Sequence, residues 1–178
     1  MSKISRQINF FDLTGGINNV DTMERFNSSP KKTESPDMVN VEYYKLGAYR
    51  PGGGTPLYDA MGMAISKMNA QVTDEDNVLV TVITDGEENS SVEWTLKMIR
   101  TMIEKLKKQH WTFTLIGTDN LDVESMAHSF AIDEHLEFRQ DDEGTRAMFA
   151  CERRSRERYK CCVAENAVMP TGSFFDEE

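Results

Sequence analysis

The order of apolar and polar residues predicts alternating strands and helices along this chain. The run from Val78 to Ile83 is almost continuously apolar and rich in β-branched residues, with polar and turn-forming residues on either side. Such a run is typical of a strand buried on both faces, as in a parallel sheet covered by helices. From residue 91 to residue 109 the apolar residues recur at helical spacing. A buried strand is therefore expected to be followed by an amphipathic helix.

The rest of the chain continues this alternation. Further strands are predicted at 6–11, 39–46, 111–117 and 135–138, and further helices at 17–27, directly after Thr55, at 122–132 and at 141–160. Alternating strands and helices predict an α/β fold, in which helices flank a mostly parallel, doubly wound sheet in three layers. We expect one domain over residues 1–168, followed by a loosely held tail at 169–178. The end of this tail, "FFDEE" at 174–178, is expected either to engage a partner or to pack back onto the domain.

Composition limits the classes of function. The chain has 178 residues, of which 39% are hydrophobic, as in a single globular domain. Its net charge of −10 argues against nucleic acids and anionic membranes as partners, and the basic residues at 152–160 are interleaved with glutamates. Three cysteines make no paired disulfide framework, and no apolar stretch is long enough for a signal peptide or a membrane span. These features predict a soluble, cytoplasmic protein.

Three predicted strand exits carry oxygen-bearing side chains. In open α/β sheets, ligands bind beyond the carboxyl ends of the strands. These exits lead to Asp12 and Thr14, to Thr55 after a run of glycines, and to Asp85. Carboxylate and hydroxyl oxygens suit a hard ion such as Mg²⁺, which keeps several waters and needs few protein ligands. Because hydroxyl ligands carry no charge, such an ion would be ready to accept a carboxylate from a partner.

Two segments carry a resemblance to a known family. "RPGGGTPLYDAMGMAI" at 50–65, followed by "VLVTVITDGEEN" at 78–89, closely resembles the von Willebrand factor A domain, in the stand-alone form found in intracellular proteins of bacteria and their phages. The metal-ion-dependent adhesion site of that family combines an Asp-x-Ser-x-Ser loop after the first strand, a threonine in a later loop and an aspartate at the end of the central strand. The resemblance implies that Thr55 is that threonine and Asp85 that aspartate.

The N-terminal part departs from the family pattern. The nearest match to the serine loop is "DLTGG", which keeps Asp12, has Thr14 in place of the first serine and has Gly16 in place of the second. The stretch from Asp12 to Arg50 holds one plausible strand where the family has two, so the N-terminal half is shortened. In a competing alignment, residues 7–12 form the family's second strand and the serine loop is absent. The predicted helix at 17–27 favours the first alignment, because the family also runs from its serine loop into a helix.

The resemblance implies protein binding through a metal ion. A hydrolase that uses Asp85 with a metal is a further hypothesis, but no enzymatic activity is expected, because the sequence shows no paired carboxylate or histidine motif to activate a water. The ion would be Mg²⁺, with Mn²⁺ or Ca²⁺ as alternatives, and the partner would present Glu or Asp, as part of an associated ATPase or a multiprotein complex. The alternative is a domain that has lost its ion and acts as a structural or assembly component. The implied site has two sets of residues: the ligands Thr55, Asp85, Asp12 and Thr14, and the supporting loop glycines Gly52, Gly53, Gly54 and Gly86.

The same residues also have ordinary structural interpretations. Thr55 is placed to cap a helix that opens with the following proline, and Asp85 is placed to stabilise a turn at a strand end. Acidic residues near a helix start are usually solvated, which is the interpretation favoured for Glu87 and Glu88. Asp59 is either an indirect support of the site or merely exposed.

Overall fold

The computed structural model of the protein describes residues 5–12, 24–25, 54–74, 76–165, 167 and 169–176. The predicted strand at 39–46 and the site residues Thr14, Gly52 and Gly53 lie outside the described residues. The described chain forms an α/β fold in which helices flank a parallel sheet. The predicted fold class is thus confirmed as α/β with a parallel sheet flanked by helices.

The described elements follow one another in the order β1 (Ser5–Asp12), β2 (Glu24–Arg25), α1 (Leu57–Asn69), β3 (Asn77–Thr84), α2 (Leu96–Leu106), β4 (Trp111–Thr118), α3 (Val123–Phe130), β5 (Glu134–Phe138) and α4 (Asp142–Ala164). A 3₁₀ turn at Lys107–Gln109 continues α2. The strands lie side by side in the order β2-β1-β3-β4-β5. Neighbouring strands from β1 to β5 are parallel, whereas β2 pairs antiparallel with β1. The carboxyl ends of the parallel strands therefore point to the same edge of the sheet.

The central strand β3 is packed on both of its faces. Val78, Val80 and Val82 belong to an apolar cluster with side chains of α1, α2 and α3. Leu79 and Ile83, which alternate with them, pack instead with side chains of α4. Full burial of an aliphatic side chain contributes roughly 1.5–3 kcal/mol. The unbroken apolar run of this strand is thus explained by two packed faces, as predicted.

The predicted helix at 17–27 is wrong at Glu24 and Arg25, the part of it that the structure describes. These two residues form β2, in register with Asn9 and Ile8 of β1. Pairing with β1 gives the backbone N–H and C=O groups of these two residues the hydrogen-bond partners that a helix would otherwise supply. The helix that favoured the first alignment is therefore absent at these two residues.

α2 begins at Leu96, later than the apolar spacing from residue 91 predicts. Its N-cap is Thr95, whose side chain accepts a hydrogen bond from the N–H of Met98. The N–H groups of residues 92–94 donate hydrogen bonds to a carboxylate of α1, and these residues are not part of a helix. A tertiary contact thus delays the helix that local periodicity favours.

Gly62 of α1 lies directly against the indole ring of Trp94. A Cβ atom at position 62 would be only 2.0 Å from Cδ2 of this ring. We predict that Gly62→Ala lowers the free energy of unfolding by about 2 kcal/mol, because displacing the ring outweighs the roughly 1 kcal/mol that alanine gains over glycine in a helix. Urea denaturation measures the difference. Met63→Ala, at the neighbouring exposed position, is the control and should have a much smaller effect. Equal stability of Gly62→Ala and the wild type would contradict the prediction.

The described part of the tail, residues 169–176, is not loosely held but packs back onto the domain, which is the second of the two alternatives for its aromatic end. Phe174 has 0% of its surface exposed and packs with Leu79 of β3 and Tyr159 of α4. Burial of a large aromatic side chain is a strong stabilising contact, so this part of the chain is docked on the domain.

Candidate functional site

The carboxyl ends of β1 and β3 lie side by side. Asp12, the last residue of β1, is in register with Thr84, the last residue of β3. Asp85 follows Thr84 directly and is half-buried. The backbone positions of Asp12 and Asp85 are therefore close, as the first of the two alignments requires.

The loop before α1 contacts the turn after β3. Thr55 is 3% exposed, and a Cβ atom on Gly86 would be 3.0 Å from its hydroxyl oxygen Oγ1. A Cβ atom on Gly54 would be 2.8 Å from Oγ of Ser90 in the same turn region. Glycine at both positions allows the two loops to approach this closely. The hydroxyl of Thr55 thus lies against the residue that follows Asp85.

Thr55 does not form the helix cap that one interpretation gave it. α1 begins at Leu57 with Pro56 as its N-cap, and no side chain of the cap residue makes a capping hydrogen bond. The first N–H groups of a helix have no partner within the helix and must find one elsewhere. Here the segment after β3 supplies those partners.

Asn89 fixes the main chain of Thr55. The N–H of Thr55 donates to Oδ1 of Asn89 at 2.7 Å, and the N–H of Asn89 donates to the carbonyl oxygen of Thr55 at 3.1 Å. This pair of hydrogen bonds joins the two loops. Asn89 directly follows the "DGEE" run that carries the resemblance, but no feature of the sequence marks it as part of the site.

Glu88 closes the amino end of α1. Its carboxylate accepts the N–H of Tyr58 at 2.8 Å, and also the N–H groups of Ser90 and Ser91 at 2.8 and 2.7 Å. The hydroxyl of Ser91 also donates to this carboxylate, and its oxygen accepts the N–H of Asp59 at 3.1 Å. Glu88 is therefore a structural acceptor, and its interpretation as a solvated residue is wrong.

Asp59 makes the reciprocal contact from α1. Its carboxylate accepts the N–H groups of Val92, Glu93 and Trp94 at 2.8, 2.9 and 2.7 Å. We call Asp59, Glu88, Asn89 and Ser91 the clasp, because together they join α1 to the segment after β3. Of the two interpretations left open for Asp59, the indirect support of this region fits these bonds.

The two carboxylates of the clasp favour their ionised forms. Partial burial raises the pKa of Asp59. The hydrogen bonds from the N–H groups of residues 92–94 lower it, and their combined effect is larger, so the pKa lies below its usual 3.8. Burial likewise raises the pKa of Glu88, and the hydrogen bonds from Ser91, Tyr58 and Ser90 lower it below its usual 4.5. Both groups are therefore acceptors at neutral pH.

We predict that acid weakens the fold through these two groups. A carboxyl whose pKa is lower in the folded than in the unfolded state adds its full stability above the unfolded pKa, and loses it as the pH falls through the folded pKa. The free energy of unfolding should therefore decline below about pH 4.5. Urea denaturation between about pH 7 and pH 3 measures the decline. The matched variant Asp59→Asn/Glu88→Gln should decline less steeply; equal slopes would contradict this origin.

The donor atoms at this edge are carboxylate and hydroxyl oxygens, the chemical type of ligand that a hard divalent ion takes. The described side chains there are the hydroxyl of Thr55 and the carboxylate of Asp85, with the backbone of Asp12 close by. Within the described ranges, no three His, Cys, Asp or Glu side chains form a group that could hold a metal ion. A site here would therefore consist of few protein ligands and several waters, which Mg²⁺ accepts.

Comparison with models of known protein families and with curated proteins finds no match to this chain. In the part of the chain that the structure describes, none of the helices has the length and apolar character needed to cross a membrane.

Proposed function

We propose that this chain is a protein-binding module of the von Willebrand factor A type, with a three-layer, doubly wound fold, that engages an acidic residue of a partner through a divalent ion. The observation that carries the proposal is the meeting of three segments at one edge of the sheet: the end of β1, the loop before α1 and the turn after β3. Asp12 ends beside Thr84, and the hydroxyl of Thr55 lies against the Gly86 turn. Two of these segments are the ones on which the resemblance rests.

Thr55 and Asp85 would hold the ion, with Asp12 and Thr14 as further ligands. When bound, Mg²⁺, or Mn²⁺ or Ca²⁺ in its place, would supply positive charge and a coordination position for a partner's Glu or Asp. Asn89 would keep the hydroxyl of Thr55 in place by binding both the N–H and the carbonyl oxygen of this residue. The glycines at 54 and 86 would keep the loops close enough to share one ion.

A bound ion would offset the electrostatic repulsion between this acidic chain and an acidic partner. At −10, the chain repels an acidic partner, as it repels nucleic acids and anionic membranes. A local divalent cation reverses that repulsion at one point of the surface. The resemblance suggests a cytoplasmic partner such as an associated ATPase or another component of a multiprotein complex.

Isothermal titration of Mg²⁺, and separately of Mn²⁺, into the metal-stripped full chain tests the proposal. We expect saturable binding to one site, together with an increase in the thermal unfolding temperature, since a ligand that binds only the folded state stabilises it. The absence of both effects at millimolar ion concentrations would contradict the proposal.

The second candidate is a domain without an ion that serves as a structural or assembly component. It is favoured by Gly16, which offers no hydroxyl where the family has a serine. It is also favoured by the described side chains, among which no three His, Cys, Asp or Glu residues form a group that could hold a metal ion. This candidate predicts that a partner binds equally well with Mg²⁺ and with a chelator, whereas the metal-dependent module predicts loss of binding in chelator.

A further inference from the structure

The segment at 169–176 is held on the domain largely through its main chain. Glu134, at the start of β5, is 9% exposed, and both of its carboxylate oxygens accept hydrogen bonds from the segment. Oε1 accepts the N–H of Gly172 at 2.6 Å, and Oε2 accepts the N–H of Phe174 at 2.9 Å. Gly172 has a φ of +81°, a conformation that glycine adopts without strain. A single buried carboxylate thus binds two N–H donors that lie two residues apart in a tight turn.

Arg158 of α4 binds the carbonyl groups of the same segment. Its Nη2 donates to the carbonyl oxygens of Ser173 and Phe174 at 2.8 and 2.7 Å, and its Nη1 donates to that of Asp176 at 2.7 Å. Hydrogen bonds to ionised groups are stronger than those between neutral groups. Two charged side chains therefore account for five main-chain hydrogen bonds to a short stretch of chain.

Phe174 is the apolar anchor of the segment. It is fully buried in a cluster with Leu79 and Tyr159, and the ring centroids of Phe174 and Tyr159 are 6.1 Å apart. The ring of Phe175 lies edge-on against Phe174 at 4.9 Å. Aromatic pairs in such arrangements attract each other beyond simple burial.

This arrangement resembles the binding of a short peptide by a protein surface. We call Leu79, Glu134, Arg158 and Tyr159 the tail slot; they belong to β3, β5 and α4, whereas the segment contributes one side-chain anchor and its backbone. Charged groups that bind the main chain, with a pocket for one aromatic side chain, are a common means of peptide recognition. None of these residues is part of the candidate metal site, so the inference does not depend on the proposed function.

We propose that the tail slot is a peptide-binding site, filled by the chain's own C-terminal segment in a single copy and by the segment of a second copy when two copies exchange segments. Every copy carries the sequence that fits the slot, and exchange makes the same hydrogen bonds and the same aromatic contacts. Identical elements can be exchanged between copies at low cost, because only the connection must open. Here the connection is the short stretch between Ala164 and Met169.

Two complementary full-length variants test the exchange. Phe174→Ala removes the anchor and keeps the slot, whereas Glu134→Gln/Arg158→Ala keeps the anchor and weakens the slot. We expect each variant alone to be monomeric, and an equimolar mixture to form a complex of twice the mass in analytical ultracentrifugation. The matched control is Glu134→Gln/Arg158→Ala/Phe174→Ala, which should not associate with Phe174→Ala. A monomeric mixture of two folded variants at about 100 μM would overturn the proposal.

A peptide measurement covers the case in which the slot variant does not fold. A labelled peptide of residues 169–178 is titrated into full-length Phe174→Ala and compared with the same peptide carrying Phe174→Ala. Because burial of one phenylalanine is at stake, we expect the first peptide to bind at least about tenfold more tightly. Equal binding of the two peptides would overturn the proposal. So would unfolding of the Phe174→Ala protein, since the segment would then be an inseparable part of the core.

Discussion

Replacing Asp85 with alanine is expected to weaken Mg²⁺ binding by at least about 100-fold, beyond what titration at millimolar ion detects. Asp85 is the carboxylate at the exit of β3, beside the end of β1. Thr55→Ala should have a smaller effect, of about tenfold, because water can replace a neutral hydroxyl ligand. Thr55→Ser keeps the hydroxyl and should bind as the wild type does. Isothermal titration under identical conditions ranks the four proteins.

The next strand exit offers a matched control for Asp85. Asp119 follows β4 directly, is exposed, and accepts the N–H of Gln140 at 3.3 Å. Asp119→Ala removes the same charge at the exit of a parallel neighbour and should leave Mg²⁺ binding unchanged. If Asp85→Ala and Asp119→Ala bind the ion equally, the effect is one of general charge and the assigned site is wrong.

Opening the clasp is expected to have the largest effect on stability outside the apolar core. Asp59→Ala and Glu88→Ala should each lower the free energy of unfolding by about 2 kcal/mol, because each removes several hydrogen bonds to an ionised group. The double variant should lose about 3 kcal/mol, less than the sum, since both changes open the same interface. Urea denaturation at neutral pH measures all three proteins.

The neighbouring Glu87 provides the control for the clasp. It is exposed, and Glu87→Ala should change the free energy of unfolding by less than about 0.5 kcal/mol. Full additivity of the two clasp substitutions would mean that Asp59 and Glu88 act at separate places. A loss no greater than that of Glu87→Ala would mean that both carboxylates are replaced by water without cost.

The strongly patterned elements of this fold could be predicted from sequence. The apolar run of β3 and the run at 111–117 each lie within an observed strand, because full burial leaves a local signature in composition. Glu24 and Arg25 could not be assigned, because their conformation depends on β1, which is distant in sequence. For the same reason the sequence left open whether Phe174 and Phe175 engage a partner or pack back onto the domain, because Leu79 of β3, which Phe174 contacts, is distant in sequence.

Some parts of the candidate site could be predicted from sequence, and others could not. That Asp12 and Asp85 lie at the same edge of the sheet follows from the fold class, because the carboxyl ends of parallel strands share an edge. That they lie close together does not follow from it, because this depends on the pairing of β1 with β3. The role of Glu88 at α1 could not be predicted locally: acidic residues near a helix start are commonly solvated, and its partner Tyr58 lies 30 residues earlier in the sequence. Asp59 was similarly ambiguous, because only the folded chain brings residues 92–94 within reach of its carboxylate.

The clasp also affects the order in which the protein can assemble. The amino end of α1 is closed by groups 30 and 32 residues away in the sequence, so local interactions alone do not complete this helix. Closing so long a loop costs conformational entropy before its hydrogen bonds form. The hydrogen bonds of the clasp hold the loop of Thr55 against the turn after β3. The ion proposed for Thr55 and Asp85 would therefore need a closed clasp, so that its binding would report this tertiary contact and not merely the presence of helices and strands.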